Sequence, residues 1–97
     1  MARDTQLQDQ SILEDLGYTG PEGRILLLRI QLVKAIRQEL SRRKWSQNQA
    51  ARELGLSQPR ISELMQLRID QFSLEKLAKI LYCLDRDVEV SIKKARR

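Results

Sequence analysis

Twenty residues in the middle of the chain, Gln47 to Gln66 (QNQAARELGLSQPRISELMQ), constrain the fold more than any other stretch. Ala51 is small and lets two helices cross closely. Gly55, four residues later, can take the left-handed turn that other residues resist. Leu54, Leu56, Ile61 and Leu64 fall at the offsets that point inward and fix the angle between the helices. A tight helix-turn-helix needs all six at once; an ordinary helical hairpin does not.

Start and stop signals on either side agree with a helical chain. Ser46 to Gln49 has the form of a capping box, and Ser57 can cap the next helix, with Pro59 tolerated in its first turn. Ser73 opens a further helix whose stripe is Leu74, Leu77, Ala78, Leu81 and Leu84. Cys83 lies in it and reads as a small core or interface residue. Upstream, Thr19-Gly20-Pro21-Glu22 starts a long helix that runs to about Arg43. Ile25, Leu28, Leu32, Ile36 and Leu40 form one apolar stripe on it, and Leu26, Ile30 and Val33 a second. The second stripe asks for a cover: the N-terminal segment, a second copy, or a partner. Before that helix, residues 1–10 are polar, and Ser11 to Glu14 offers a capping box for a short turn built on Ile12, Leu13 and Leu16 and ended by Gly17. At the far end the period changes to two: Val88, Val90 and Ile92 alternate with Glu89, Ser91 and Lys93, a strand pattern with no second strand in the chain to pair with. Lys93, Lys94, Arg96 and Arg97 close the chain as a basic tail.

The expected organisation is thus an N-terminal polar segment with a short turn (1–20), a helical domain (21–86), and a C-terminal strand and tail (87–97). The fold class is all-α, with four to five helices and a short C-terminal β-strand. With 97 residues there is room for one small core.

Charge separates along the chain. Residues 1–23 carry one cation, Arg3, against Asp4, Asp9, Glu14, Asp15 and Glu22, and the remainder carries 17 Lys and Arg against 8 acids, for a total of +5. A basic body suits a polyanion such as DNA. One cysteine and no histidine rule out an internal disulfide, a Ser-His-Asp or Cys-His nucleophile and a Cys/His zinc site. No group of carboxylates has catalytic spacing. No enzyme, cofactor or metal is expected. The lone thiol and the absence of an apolar span or leader suit the cytoplasm.

In a helix-turn-helix the second helix enters the major groove with its N-terminal part at the base edges. The outward residues there are Gln58, Pro59, Ser62 and Glu63, beside the cap Ser57, with Arg60 on the flank. Gln58 suits adenine in a bidentate way. Glu63 suits cytosine N4 or repels phosphate. Pro59 can only make an apolar contact. Arg60 reaches guanine or a phosphate, and the sequence leaves both open. Gln47, at the start of the preceding helix, and Arg68, beyond the second, are phosphate candidates.

At these residues the chain resembles the Xre-type helix-turn-helix regulators, which include small phage repressors. The match runs from about Arg24 to Leu84. SILEDLGYTGPEG, LSQPRISEL, IDQFSLEKL and VEVSI narrow the resemblance to a HigA-like antitoxin subfamily. That resemblance implies a lambda-repressor-like domain and a transcriptional repressor that neutralises a ribonuclease toxin of the RelE/HigB kind. A stand-alone phage-like regulator without a toxin is the alternative. One departure is Leu67, where many relatives have Gly just past the second helix; the turn there sets the placement of Arg68. The lone strand suggests a homodimer joined through Val88, Val90 and Ile92, or else through Leu26, Ile30 and Val33. Two-fold symmetry then demands an inverted-repeat operator.

Overall fold

The computed structural model describes Ile12 and residues 15–94. It contains α1 (Gly20–Arg43), α2 (Gln47–Leu54), α3 (Gln58–Met65), a 3-10 turn (Ile69–Gln71) and α4 (Leu74–Cys83). Ahead of α1, Ile12 and Asp15 are helical, and the Leu16 N–H donates to the Ile12 carbonyl at 3.1 Å. The capping box expected at Ser11 to Glu14, and Leu13, Arg96 and Arg97, lie outside the described residues.

Three helices start as their sequences dictate. Ser46 Oγ accepts from the Gln49 N–H at 3.1 Å, Ser57 Oγ from the Arg60 N–H at 3.3 Å, and Ser73 Oγ from the Lys76 N–H at 3.1 Å. Each such cap stabilises its helix by about 1 kcal/mol. α1 begins differently, without a side-chain cap but with Pro21 in its first turn and Glu22 near the positive end of the dipole. The chain folds tightly onto that start. A Cβ on buried Gly23 would collide with the Tyr18 carbonyl oxygen, so only glycine fits there.

Three helices also end alike. After α2 the Leu56 N–H reaches back to the Ala51 carbonyl at 3.0 Å; after α3 Arg68 N–H reaches Glu63 at 2.9 Å; after α4 Arg86 N–H reaches Leu81 at 2.9 Å. Each is the six-to-one bond of a Schellman motif, and each requires a left-handed residue just before it. Gly55 (φ 65) supplies it at no steric cost, whereas Leu67 (φ 59) and Asp85 (φ 62) adopt it against their side chains. The turn at Leu67 is therefore the one glycine would make.

α1 is about 36 Å long, and its C-terminal half forms the floor of the domain. Val33, Ile36 and Leu40 pack with Leu77, Ile80, Leu81 and Leu84 of α4, and with Ala50, Ile61, Leu64 and Phe72 from the rest of the chain. The packing of α1 on α4 and of α2 on α3 dominates. The stripes on α1 divide along its length: Ile36, Leu40 and Val33 are buried, Leu26, Leu28, Ile30 and Leu32 half-buried, and Ile25 exposed. Leu27, on neither expected stripe, is buried apart from the main cluster.

Two expectations are corrected. No strand forms at Val88 to Ile92, and none occurs among the described residues. The physical reason is that a strand exists only as part of a ladder, and nothing else in the described chain runs beside this segment. Val88 instead packs against the edge of the core, while Val90 is 79% and Ile92 90% exposed. Of the two places expected for Cys83, core or interface, the core is excluded: it is exposed, because α4 turns Ile80, Leu81 and Leu84 inward at that level.

Candidate nucleic-acid interface

The caps and turns above fix one surface, built from the start of α2 and the outer side of α3. Ser46 holds the first turn of α2, so exposed Gln47 stands beside backbone N–H groups at the helix's positive end. Gly55 and its reach-back bond aim the chain into α3, and Ile61 and Leu64 bury the inner side of that helix. Ala50 is the small residue fully buried at this crossing, while Ala51 packs partly against the core; the close approach uses both. What remains outward is Ser57, Gln58 and Pro59, all exposed, and half-buried Ser62 one turn further on.

The flank residues are held rather than free. The Arg60 guanidinium pairs with Glu63 at 3.0 Å, reaches the Gln71 carbonyl at 3.5 Å, and lies over the Phe72 ring at 5.7 Å from its centre. Arg60 thus braces α3 against the 3-10 turn that follows it. Glu63 is half-buried and engaged with Arg60. Both belong to the side of α3, and Gln58, Pro59 and Ser62 to its front. Arg68 is exposed beyond the end of α3, its backbone fixed by the bond to Glu63.

Gln66 was missed in the sequence. It is exposed, and its Nε2 donates to Ser62 Oγ at 3.2 Å. Gln58, Ser62 and Gln66 are four apart, so they form one row along the helix. That spacing was the available signal.

A second cluster lies at the junction of α1 with the C-terminal arm. Glu39 is 5% exposed, yet charged. Arg42 grips it with two bonds, Nη2 to Oε1 at 2.8 Å and Nε to Oε2 at 3.1 Å; Arg86 Nη2 donates to Oε2 at 3.0 Å; Arg43 Nε stands 3.7 Å from Oε1. The hydrogen bond from Arg42, then that from Arg86, lowers the Glu39 carboxyl from the ordinary 4.5 to about 2, against the opposing effect of burial. Arg42 is raised in return, chiefly by its bond to Glu39. Arg43 stacks over Trp45 at 5.1 Å and donates to the Leu84 carbonyl at 2.8 Å. No spacing rule links Glu39 to Arg86.

No helix among the described residues is long and apolar enough to cross a membrane, and no set of His, Cys, Asp or Glu there converges as metal ligands.

Two crossed helices joined by a left-handed turn, with the outer side of the second uncovered and polar, define a helix-turn-helix of the DNA-binding kind. A family model described as "Helix-turn-helix domain" matches residues 12–93. A solved structure assigned by name to the XRE family of transcriptional regulators is similar at 35% identity and a TM-score of 0.73, over 79% of this chain and 86% of that one. No curated protein matches significantly. The chain belongs to the helix-turn-helix domain family, as an XRE-type member.

Proposed function

We propose that the chain is a sequence-specific transcriptional repressor that acts as the antitoxin of a type II toxin–antitoxin pair. The observation that carries the DNA reading is the front of α3. Gln58, Pro59 and Ser62 are polar or small, exposed or half-exposed, and among the described residues their side chains are hydrogen-bonded to nothing but Gln66. Gln58 reads adenine through its paired amide donor and acceptor, Pro59 makes an apolar contact such as with a thymine methyl, and Ser62 and Gln66 meet the next base edges. Gln47, Ser57 and Arg68 hold phosphates on either side. Arg60 and Glu63 set the angle of the helix in the groove. The chain works as a two-fold dimer on an inverted repeat, with half-site centres about 34 Å apart or a multiple of that.

The antitoxin role is supported by the resemblance of segments outside the motif, SILEDLGYTGPEG and VEVSI, to HigA-like antitoxins. Two measurements test the reading. Footprinting of the chain's own promoter should protect two symmetric half-sites; a single asymmetric site would count against it. Where a small basic reading frame adjoins the gene, co-expression with the chain should relieve the growth arrest that frame causes alone. Without relief, the stand-alone regulator is the correct description.

A further inference from the structure

We infer that Lys93 and Lys94, carried on the arm that leaves the end of α4, make a second DNA contact, on phosphates outside the base pairs that α3 reads. The inference rests on the regulator reading above and adds to it a binding segment outside the helix-turn-helix.

The arm starts beside the part of the molecule that faces DNA. Arg43, in the last turn of α1, donates to the Leu84 carbonyl at 2.8 Å and stacks over Trp45 at 5.1 Å. Trp45 leads directly into Ser46 and Gln47, the start of α2 that is assigned above to a phosphate. One guanidinium thus bridges the base of the arm and the turn into α2. Arg86 is pinned next, by Glu39 at 3.0 Å, and Val88 packs on the edge of the core. Beyond Val88 nothing among the described residues holds the chain back: residues 90 and 92 are exposed, and the backbone of residues 89–94 makes no hydrogen bond to another described residue. Extended, residues 87 to 93 span at most about 23 Å. That is about six phosphates along one strand of a duplex.

Charge says where along that reach the contact falls. The base of the arm is acidic (Asp85, Asp87, Glu89), and no acid follows Glu89. Lys93 and Lys94 are exposed and in no ion pair with a described residue, and the sequence adds Arg96 and Arg97 behind them. The arginines at the junction differ: Arg42, Arg43 and Arg86 all face Glu39. Phosphate repels the acidic base and attracts the basic tip. The arm therefore stands off the duplex next to α2 and meets it further out, on flanking phosphates. Lysine suits this place, since its ammonium is a point charge on a flexible stem and needs no fixed geometry. Such a contact adds affinity and salt dependence and carries no sequence preference of its own.

Duplex length tests this directly. The full chain and the same chain carrying Lys93→Ala with Lys94→Ala are titrated, over a range of salt, onto two duplexes. One ends at the edges of the operator, and the other extends it on both sides by a helical turn. On the extended duplex the substitutions should reduce the salt slope by about two units for each arm, since each phosphate contact is worth about 0.9. On the short duplex the two proteins should have the same slope. Gln58→Ala should behave the opposite way, losing operator preference on both duplexes and keeping the full effect of the flanks. Helical circular dichroism, unchanged in each variant, separates a lost contact from lost folding. Equal slopes for the two proteins on the extended duplex overturn the inference. So does an equal drop on both duplexes, which is a general effect of net charge. An operator preference that persists without a flank effect removes the inference alone. An unmodified chain that binds operator and scrambled duplexes equally removes the regulator reading, and the inference with it.

Discussion

Between Ser46 and Arg68 each backbone hydrogen bond closes within five residues, whereas the side-chain bonds joining α1 to the C-terminal arm span 41, 42 and 47. The first region is specified by local chemistry: a serine before each helix, a left-handed residue after it, aliphatics on the inner side. The second is specified by which residues meet once the chain has folded. A buried carboxylate such as Glu39 is costly to leave unpaired, and the three arginines that answer it come from its own helix and from beyond the end of α4. Local chemistry shapes the surface proposed to meet DNA, and non-local chemistry holds the place where the arm departs.

The largest expected effect tests whether the two regions are separate at all. Ile61 lies in the helix-turn-helix but packs in the same cluster as Ile36 and Leu84. Ile61→Ala should cost about 2–5 kcal/mol. Unfolding in urea should remain one transition, with Trp45 fluorescence, which reports the junction beside Arg43, coincident with helical circular dichroism. Separated curves would mean that the motif and the junction unfold independently. The next effect falls on DNA. Gln58→Ala should leave stability unchanged, because the side chain is exposed, and should reduce discrimination at one base pair by about 1–3 kcal/mol. Equal weakening on operator and scrambled duplexes would show that another face of α3 enters the groove.

The same contrast explains what the sequence made legible. The helix bounds at Ser46, Gly55, Ser57 and Ser73 were readable, because a cap acts on its own next turn. So were Leu77, Leu81 and Leu84 on α4. Gln66 was within reach through its spacing from Gln58 and Ser62. Glu39 was not, since an acid three before one arginine and four before another looks like any solvated helix face. The alternation at Val88 to Ile92 was read as a strand, but alternation specifies only which side chains share a face. The ladder needs a neighbour that the described residues do not supply. Glu63 was read as outward and Arg60 as flanking; only Phe72 and Gln71, arriving from the next turn, show what Arg60 lies against while it holds Glu63.

Acid should sharpen the non-local half of the comparison. The folded pKa of Glu39, about 2, lies below the ordinary 4.5. Its contribution is present above about pH 5 and lost as pH falls toward 2, because the unfolded chain takes up the proton first. Glu39→Gln should therefore show a shallower loss of stability across that window than the unmodified chain. Parallel curves would mean that the arginines do not hold the carboxylate in solution.

The smallest effect bears on the local half, where two turns of the same shape use different residues. Gly55 and Leu67 have φ of 65° and 59°, and each precedes a Schellman bond. Leu67 is 39% exposed, so its side chain returns little through burial. A left-handed L-residue costs about 1–2 kcal/mol, and glycine's greater freedom in the unfolded chain offsets part of the gain from removing it. Leu67→Gly should thus raise stability by about 1 kcal/mol. Gly55→Leu should lower it by a similar amount, for the backbone reason alone, since nothing lies within 4 Å of a Cβ at Gly55. DNA binding separates this turn's conformation from its stability. The backbone at Leu67 already has the shape glycine would give it, so Leu67→Gly should leave the salt dependence of binding unchanged. Arg68→Ala should reduce that dependence by about one unit, as expected for one phosphate contact. A changed salt slope in Leu67→Gly would show that Leu67, rather than the turn's geometry, sets the position of Arg68 over the backbone of the duplex.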